Sequence, residues 1–175
     1  MLKTLKHLLR HPLNRNHRMA AVSRFLRWQI ANRILPVPYL MHFVDDTVLV
    51  MERGMTGATG NWYSGLHEEA EMAFVLHLLR AGDFFADIGA NVGAYTVLAA
   101  GAVGARCISF EPIYDSFFNL KRNVRANRID RLVTCHNVGL GEREEILCFT
   151  SSQDTTNHVA DEADVSPDFG GITHD

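Results

Sequence analysis

Cysteine is scarce in this 175-residue chain: Cys107, Cys135 and Cys148 are the only three, and none stands in paired spacing. Neither a disulfide framework nor a metal site of the zinc kind is indicated, and buried reduced thiols are expected instead. No apolar run approaches the roughly 20 residues of a membrane-spanning helix, and the N-terminus lacks the uninterrupted apolar segment of a signal peptide. A cytoplasmic protein is the expectation. The five prolines and thirteen glycines follow no period, and no repeat suggests a solenoid. What is present, 47% hydrophobic and 21% charged residues, suits one soluble globular domain.

Acidic residues are missing from one stretch altogether. Residues 1–35 hold eight Lys or Arg and no Asp or Glu, against nine basic and twenty acidic residues in the remainder, so a net charge of −3 hides +8 beside −11. Within the basic part Met19, Val22, Leu26, Ile30 and Ile34 recur at helical spacing, with Phe25 beside them and arginines between. That pattern predicts an amphipathic helix, ended by Leu35-Pro36-Val37-Pro38. Two readings stand. A basic amphipathic helix is drawn to anionic lipid or phosphate, giving peripheral membrane contact through residues 1–35, with nucleic acid the less favoured partner. The plainer reading is a helix packed on the domain with solvated arginines.

The next stretch, "MHFVDDTVLVME" (residues 41–52), reads as two strand pieces or a hairpin. The four glycines of "RGMTGATGNWYSG" (residues 53–65) predict a loop, either a ligand cover or a surface connection. "HEEAEMAFVLHLLR" (residues 67–80) predicts a helix with a Met72, Val75, Leu76 and Leu79 stripe, acids in its first turn and a half-buried His77. His67 has no histidine four residues on, which excludes a zincin pair.

A strand, turn and helix follow in "FFADIGANVGAYTVLAAGA" (residues 84–102): the strand "FFADI", apolar enough to be buried on both faces, then a glycine turn, then a helix. A second strand, "ARCISF", runs into Glu111-Pro112; a helix with Ile113, Phe117, Leu120 and Val124 on one face comes next, and then a third strand, "RLVTCHNVGL". The order β-α-β-α-β, with strand ends at Asp87, Glu111 and Asn137, is half of a doubly wound, mostly parallel α/β sheet, whose ligands bind at the carboxyl ends of the strands. Glu111 lies 22 residues after Gly89, where a carboxylate accepts hydrogen bonds from both ribose hydroxyls of an adenosine ligand. Such a position serves NAD and S-adenosylmethionine alike. The turn discriminates: Asp87-x-Gly89-x-x-x-Gly93 is not the G-x-G-x-x-G that packs backbone against a pyrophosphate, and Asp87 would repel a diphosphate. A ligand carrying a sulfonium and an ammonium fits better, although Asp87 could also serve only to cap the turn.

At these residues the chain resembles a known family. "DFFADIGANVGAYTVLAA", "FEPIYDSFFNLKRNVRAN" and "NVGLGE" look like the core of the FkbM-type S-adenosylmethionine-dependent methyltransferases, and "GLHEEAEMAFVLHLLRAGD" resembles the region upstream of their turn. The likeness covers about residues 55–150. It implies a Rossmann-like class I methyltransferase fold and O-methylation of a hydroxyl on a sugar, glycolipid or other natural product, with a small-molecule or glycan acceptor. By position it implies that Asp87, Gly89, Asn91 and Gly93 hold the methionine part of the cofactor and Glu111 the ribose; with Ala90 and Asn137 these make the expected cofactor-binding set. The chain departs from the family by stopping at Asp175, without the later strands or the aspartate-x-glutamate-glycine segment, so the expected fold is truncated after its third core strand. An exposed sheet edge, and association of copies through it, would follow.

A hydroxyl acceptor must lose a proton, and His67, Glu68 and His158 are the candidate bases, none of them singled out. The segment "SSQDTTNHVADEADVSPDFGGITHD" (residues 151–175) has six acids and no lysine or arginine, and disorder is expected at its end. The expected division is therefore a basic helical extension (residues 1–38), a partial methyltransferase domain (residues 39–150) and an acidic tail (residues 151–175). An NAD-dependent oxidoreductase, an RNA methyltransferase and an inactive fragment or interaction module with half a cofactor site stand as alternatives.

Overall fold

The computed structural model describes residues 2–34, 37–52 and 54–142. Cys148, His158 and the acidic tail lie outside the described residues. Helices α1 (Leu2–Arg10) and α2 (Arg18–Ile34) come first, joined by a short 3-10 turn at Pro12–Asn14. Strands β1 (Tyr39–His42) and β2 (Val48–Met51) form an antiparallel hairpin, as residues 41–52 predict. Helices α3 (Thr56–Ser64) and α4 (Glu69–Leu78) lead into β3 (Phe84–Ile88). After β3 come a short helix α5 (Ala94–Thr96) continued by a π-helical segment (Val97–Val103), then β4 (Arg106–Phe110), α6 (Tyr114–Ala126) and β5 (Val133–His136).

The fold is α/β and Rossmann-like: β3, β4 and β5 lie side by side in one parallel sheet, with Asp87 opposite Ser109 and Ser109 opposite Cys135. Right-handed crossovers that advance in one direction across a sheet place their helices on one face. The burial pattern agrees. Phe85, Asp87, Cys107, Ser109, Val133 and Cys135 face the helices and are buried or half-buried, whereas Phe84 and Ile88 on the opposite face stay 63% and 65% exposed. The expectation that "FFADI" is buried on both faces is therefore corrected for the described residues, because both connecting helices cover the same side.

Further expectations are corrected. Residues 53–65 are not a loop: most form α3, whose Ala58, Asn61, Tyr63 and Ser64 are buried. The Gly60 of this helix serves close packing rather than flexibility, since a Cβ there would come within 2.7 Å of the His67 ring. His77 is exposed, because α4 turns Met72 inward. For α2, whose orientation the two readings left open, the inward face is Ala21, Phe25 and Trp28, while Met19, Leu26, Ile30 and Ile34 of the apolar stripe point outward. The third strand is also shorter than its apolar run, four residues at Val133–His136.

Helix α6 joins the hairpin to the sheet through amide side chains that helical spacing brings to one face. Asn123 accepts from Val50 N–H (2.7 Å) and donates to Val92 O (2.6 Å), so it ties β2 to the turn after β3. One helical turn on, Asn127 accepts from Val48 N–H and donates to Val48 O, both at 2.8 Å. The β2 edge, which would otherwise offer unpaired backbone groups, is thereby covered. Asn123 is fully buried. Its replacement by alanine leaves two buried backbone groups without partners, at about 1–3 kcal/mol each. Urea unfolding of Asn123→Ala is therefore expected to show a loss of about 2–5 kcal/mol, against less than about 1 kcal/mol for Asn119→Ala on the outer part of the same helix.

Candidate functional site

The carboxyl ends of β3, β4 and β5 converge on Glu111. This residue is 4% exposed, and both its carboxylate oxygens are occupied: Oε2 accepts from Asn91 N–H (2.7 Å) and Oε1 from Ile113 N–H (2.9 Å). Ile113 precedes α6, so the carboxylate meets the N-terminal end of that helix, where orphan donors and the helix dipole favour negative charge. The main chain of Glu111 is held as well, its N–H donating to His136 O and its carbonyl accepting from Asn137 Nδ2 (2.8 Å). Asn137 also donates to Pro112 O. One residue thus fastens the glycine turn, the start of α6 and the end of β5.

The turn itself runs through left-handed backbone at Gly89, Asn91 and Gly93. At Gly93 glycine is required twice over: φ is +87°, and a Cβ would lie 2.5 Å from Cδ1 of the fully buried Leu120. At Gly89, with φ +74°, a Cβ would meet nothing within 4 Å, so the protein leaves that side of the backbone open. All five amides of the turn are committed within the protein. Gly89 and Ala90 N–H both donate to Phe110 O at 2.9 Å, Asn91 to Glu111, Val92 to Asn91 Oδ1 (2.7 Å) and Gly93 to Ala90 O (2.8 Å). A phosphate cradle needs such groups free and pointing at the ligand.

Asp87 lies one layer deeper, 7% exposed, on the helix-covered face of β3. Thr96 Oγ1 donates to its Oδ2 (2.5 Å) and stands 2.7 Å from Ser109 Oγ. A hydroxyl has one proton, so with that of Thr96 given to Asp87 the Ser109 hydroxyl donates to Thr96. Burial raises the Asp87 pKa above its ordinary value; the bond from Thr96 opposes the shift, and the nearby Glu111 charge adds to it. Neither Asp87 nor Glu111 forms an ion pair among the described residues, where the one side-chain ion pair links Arg122 to Glu52. Two buried, unneutralised carboxylates at neighbouring strand ends make this crevice attractive to cations.

Of the candidate bases, Glu68 is the one held close to the turn: Tyr95, two residues past Gly93, donates its hydroxyl to Glu68 Oε2 at 2.7 Å. Burial, reinforced by Glu68, pushes the Tyr95 phenol far above its ordinary value, so the proton stays on Tyr95 and Glu68 remains an acceptor. His67 lies beside α3 instead: its N–H donates to Asn61 Oδ1, and its ring packs where Gly60 has no side chain. Sequence reasoning missed Thr96 and Ser109, although each is the one Ser or Thr within an apolar run. It also missed Asn123, whose signal is the Asn119, Asn123, Asn127 repeat at helical spacing.

No protein-family model and no curated protein matches the chain. Two solved structures to which it is similar are Pyrococcus horikoshii TYW2, in complex with MeSAdo, and a geranyl diphosphate C-methyltransferase from Streptomyces coelicolor A3(2), in complex with Mg2+, geranyl diphosphate and S-adenosyl-L-homocysteine. The first is 14% identical, with a TM-score of 0.49 over 60% of this chain and 37% of that one. The second is 23% identical, with a TM-score of 0.38 over 66% of this chain and 46% of that one. The chain spans less than half the length of either protein.

The buried Asp87 predicts a pH signature. Its folded pKa is raised, so the native state keeps a proton that the unfolded chain has already lost, and ionisation of Asp87 costs stability. That cost is absent below the ordinary carboxylate value of about 4 and grows as pH rises above it. Asp87→Asn keeps an acceptor for Thr96 and removes the cost. Urea unfolding is expected to find the variant as stable as the parent or more stable at about pH 7, with the gain shrinking towards about pH 4.

Proposed function

We propose that this chain carries the cofactor-binding part of an S-adenosylmethionine-dependent methyltransferase. The observation that carries the reading is the commitment of all five turn amides from Gly89 to Gly93, beside two buried carboxylates without ion-pair partners among the described residues. A dinucleotide would bring a pyrophosphate to a place with no free backbone donors and an excess of negative charge. A sulfonium and an ammonium suit that field.

The residues present fit such a cofactor. A carboxylate has about four acceptor positions. Protein amides fill two of those on Glu111, which leaves a pair for a vicinal diol such as a ribose. The open side of Gly89 allows a ligand to lie directly against the backbone. The bound cofactor supplies a methyl group on a sulfonium, and the protein's task is to hold acceptor and donor in near-attack geometry. Glu68, kept as an acceptor by Tyr95, is the side chain best placed to take a proton from a hydroxyl. A hydroxyl acceptor on a sugar, glycolipid or other natural product is the class that the FkbM resemblance supports.

Calorimetric titration tests the cofactor. S-adenosyl-L-homocysteine is expected to bind more tightly than NAD, and Glu111→Gln to weaken it by about 10- to 100-fold through loss of a charged acceptor. Tighter binding of NAD would overturn the assignment. Binding of neither ligand would favour a module that keeps the fold without the cofactor.

A further inference from the structure

Helix α2 has two apolar faces, and the packed domain uses only one. At about 100° per residue, Ala21, Phe25 and Trp28 share one side of the helix, while Met19, Leu26, Ile30 and Ile34 span an arc of about 80° on nearly the opposite side. The inner three are at most 5% exposed; the outer four are 84%, 51%, 56% and 70% exposed. Arg33 and Arg27, both exposed, border the outer stripe on its two sides. Lys6, Arg10, Arg15 and Arg18 are exposed on the neighbouring turns, and residues 1–35 contain no acid. Arg24 is drawn inward, its guanidinium donating to Asn14 Oδ1 and Tyr63 O.

We propose that the outer face of α2 seats this protein on an anionic lipid surface, with Met19, Leu26, Ile30 and Ile34 entering the acyl boundary and Arg27 and Arg33 meeting the headgroups. An apolar stripe bordered by cations, on a helix already anchored by its other side, matches the layering of a membrane interface, where carbon chains lie beneath negative headgroups. Charge complementarity selects this occupant. A second copy of the chain packed on the same stripe would bring its arginines against those of the first, and like charges in contact oppose association. RNA would satisfy the arginines but would leave four aliphatic side chains against a surface read through hydrogen bonds and aromatic stacking. No helix among the described residues is long and apolar enough to cross a membrane, so the contact is peripheral. The proposal is independent of the cofactor site, which lies on other elements.

Flotation of the full chain tests it, using vesicles of phosphatidylserine with phosphatidylcholine and vesicles of phosphatidylcholine alone. The protein is expected to float with the first, to float weakly with the second, and to be released from the first by salt. The double substitution Leu26→Ser, Ile30→Ser is expected to cut binding by about tenfold or more, since both apolar groups leave the acyl boundary. Arg27→Glu, Arg33→Glu is expected to cut it by more than about tenfold, each removed cation being worth about fivefold before the added acids repel the surface. All four side chains point away from the core, so circular dichroism and melting should match the parent. Absence of flotation, equal flotation with both vesicles, or binding indifferent to Leu26→Ser, Ile30→Ser would overturn the proposal. So would self-association abolished by that pair, which would assign the face to a second copy. Retention of single-stranded RNA that depends on Arg27 and Arg33, without vesicle binding, would overturn it in favour of nucleic acid.

Discussion

The carboxylate of Glu111 bridges two backbone amides that belong to different connections, Asn91 in the turn after β3 and Ile113 at the entry to α6. Hydrogen bonds to an ionised acceptor are among the stronger ones in a protein, and these are largely removed from water. With Asn137 on its carbonyl and His136 on its amide, the residue sets the spacing of three strand ends. The turn can then run through left-handed backbone at Asn91 and Gly93 without fraying. From that turn Asn123 carries the restraint to the hairpin, and Leu120 fills the space that Gly93 leaves empty. The five amides from Gly89 to Gly93 are spent within the protein, which leaves none of them free for a phosphate.

Asp87 shows the cost of such an arrangement. A carboxylate placed under the turn, with hydroxyls rather than cations for company, is held at the expense of stability. Groups kept against the interest of folding concentrate at functional sites. The hydrogen bond from Tyr95 to Glu68 extends the polar lining beyond Gly93.

Much of this was legible in the sequence, and the part that was not has identifiable causes. Strand, turn and helix around Gly89 and Gly93 could be read because glycine spacing and short β-branched runs are local signals, and the carboxylate at Glu111 follows from where a strand must end. The hairpin was equally local. The loop expected over residues 53–65 failed because glycine signals permissive backbone whatever its use, and at Gly60 the use is room for the His67 ring. The α2 stripe was found but its side was left open: Phe25 and Trp28 outcompete Met19, Leu26 and Ile30 for the core, and periodicity alone cannot rank two apolar faces of one helix. The open face of β3 was hidden for a related reason, since an apolar strand reads the same whether one face or both are covered. Asn123, Thr96 and Ser109 act through partners distant in the chain, which no local pattern reveals.

The central claim is that the turn binds its ligand without offering backbone N–H groups to it. Residue-resolved amide hydrogen exchange of Gly89 to Gly93 tests this most directly, compared in the free protein, with S-adenosyl-L-homocysteine and with ADP as a diphosphate probe. The account predicts amides already protected in the free protein, little changed by S-adenosyl-L-homocysteine and indifferent to ADP. Amides that exchange freely until ADP protects them would contradict it, because the turn would then be a phosphate cradle after all.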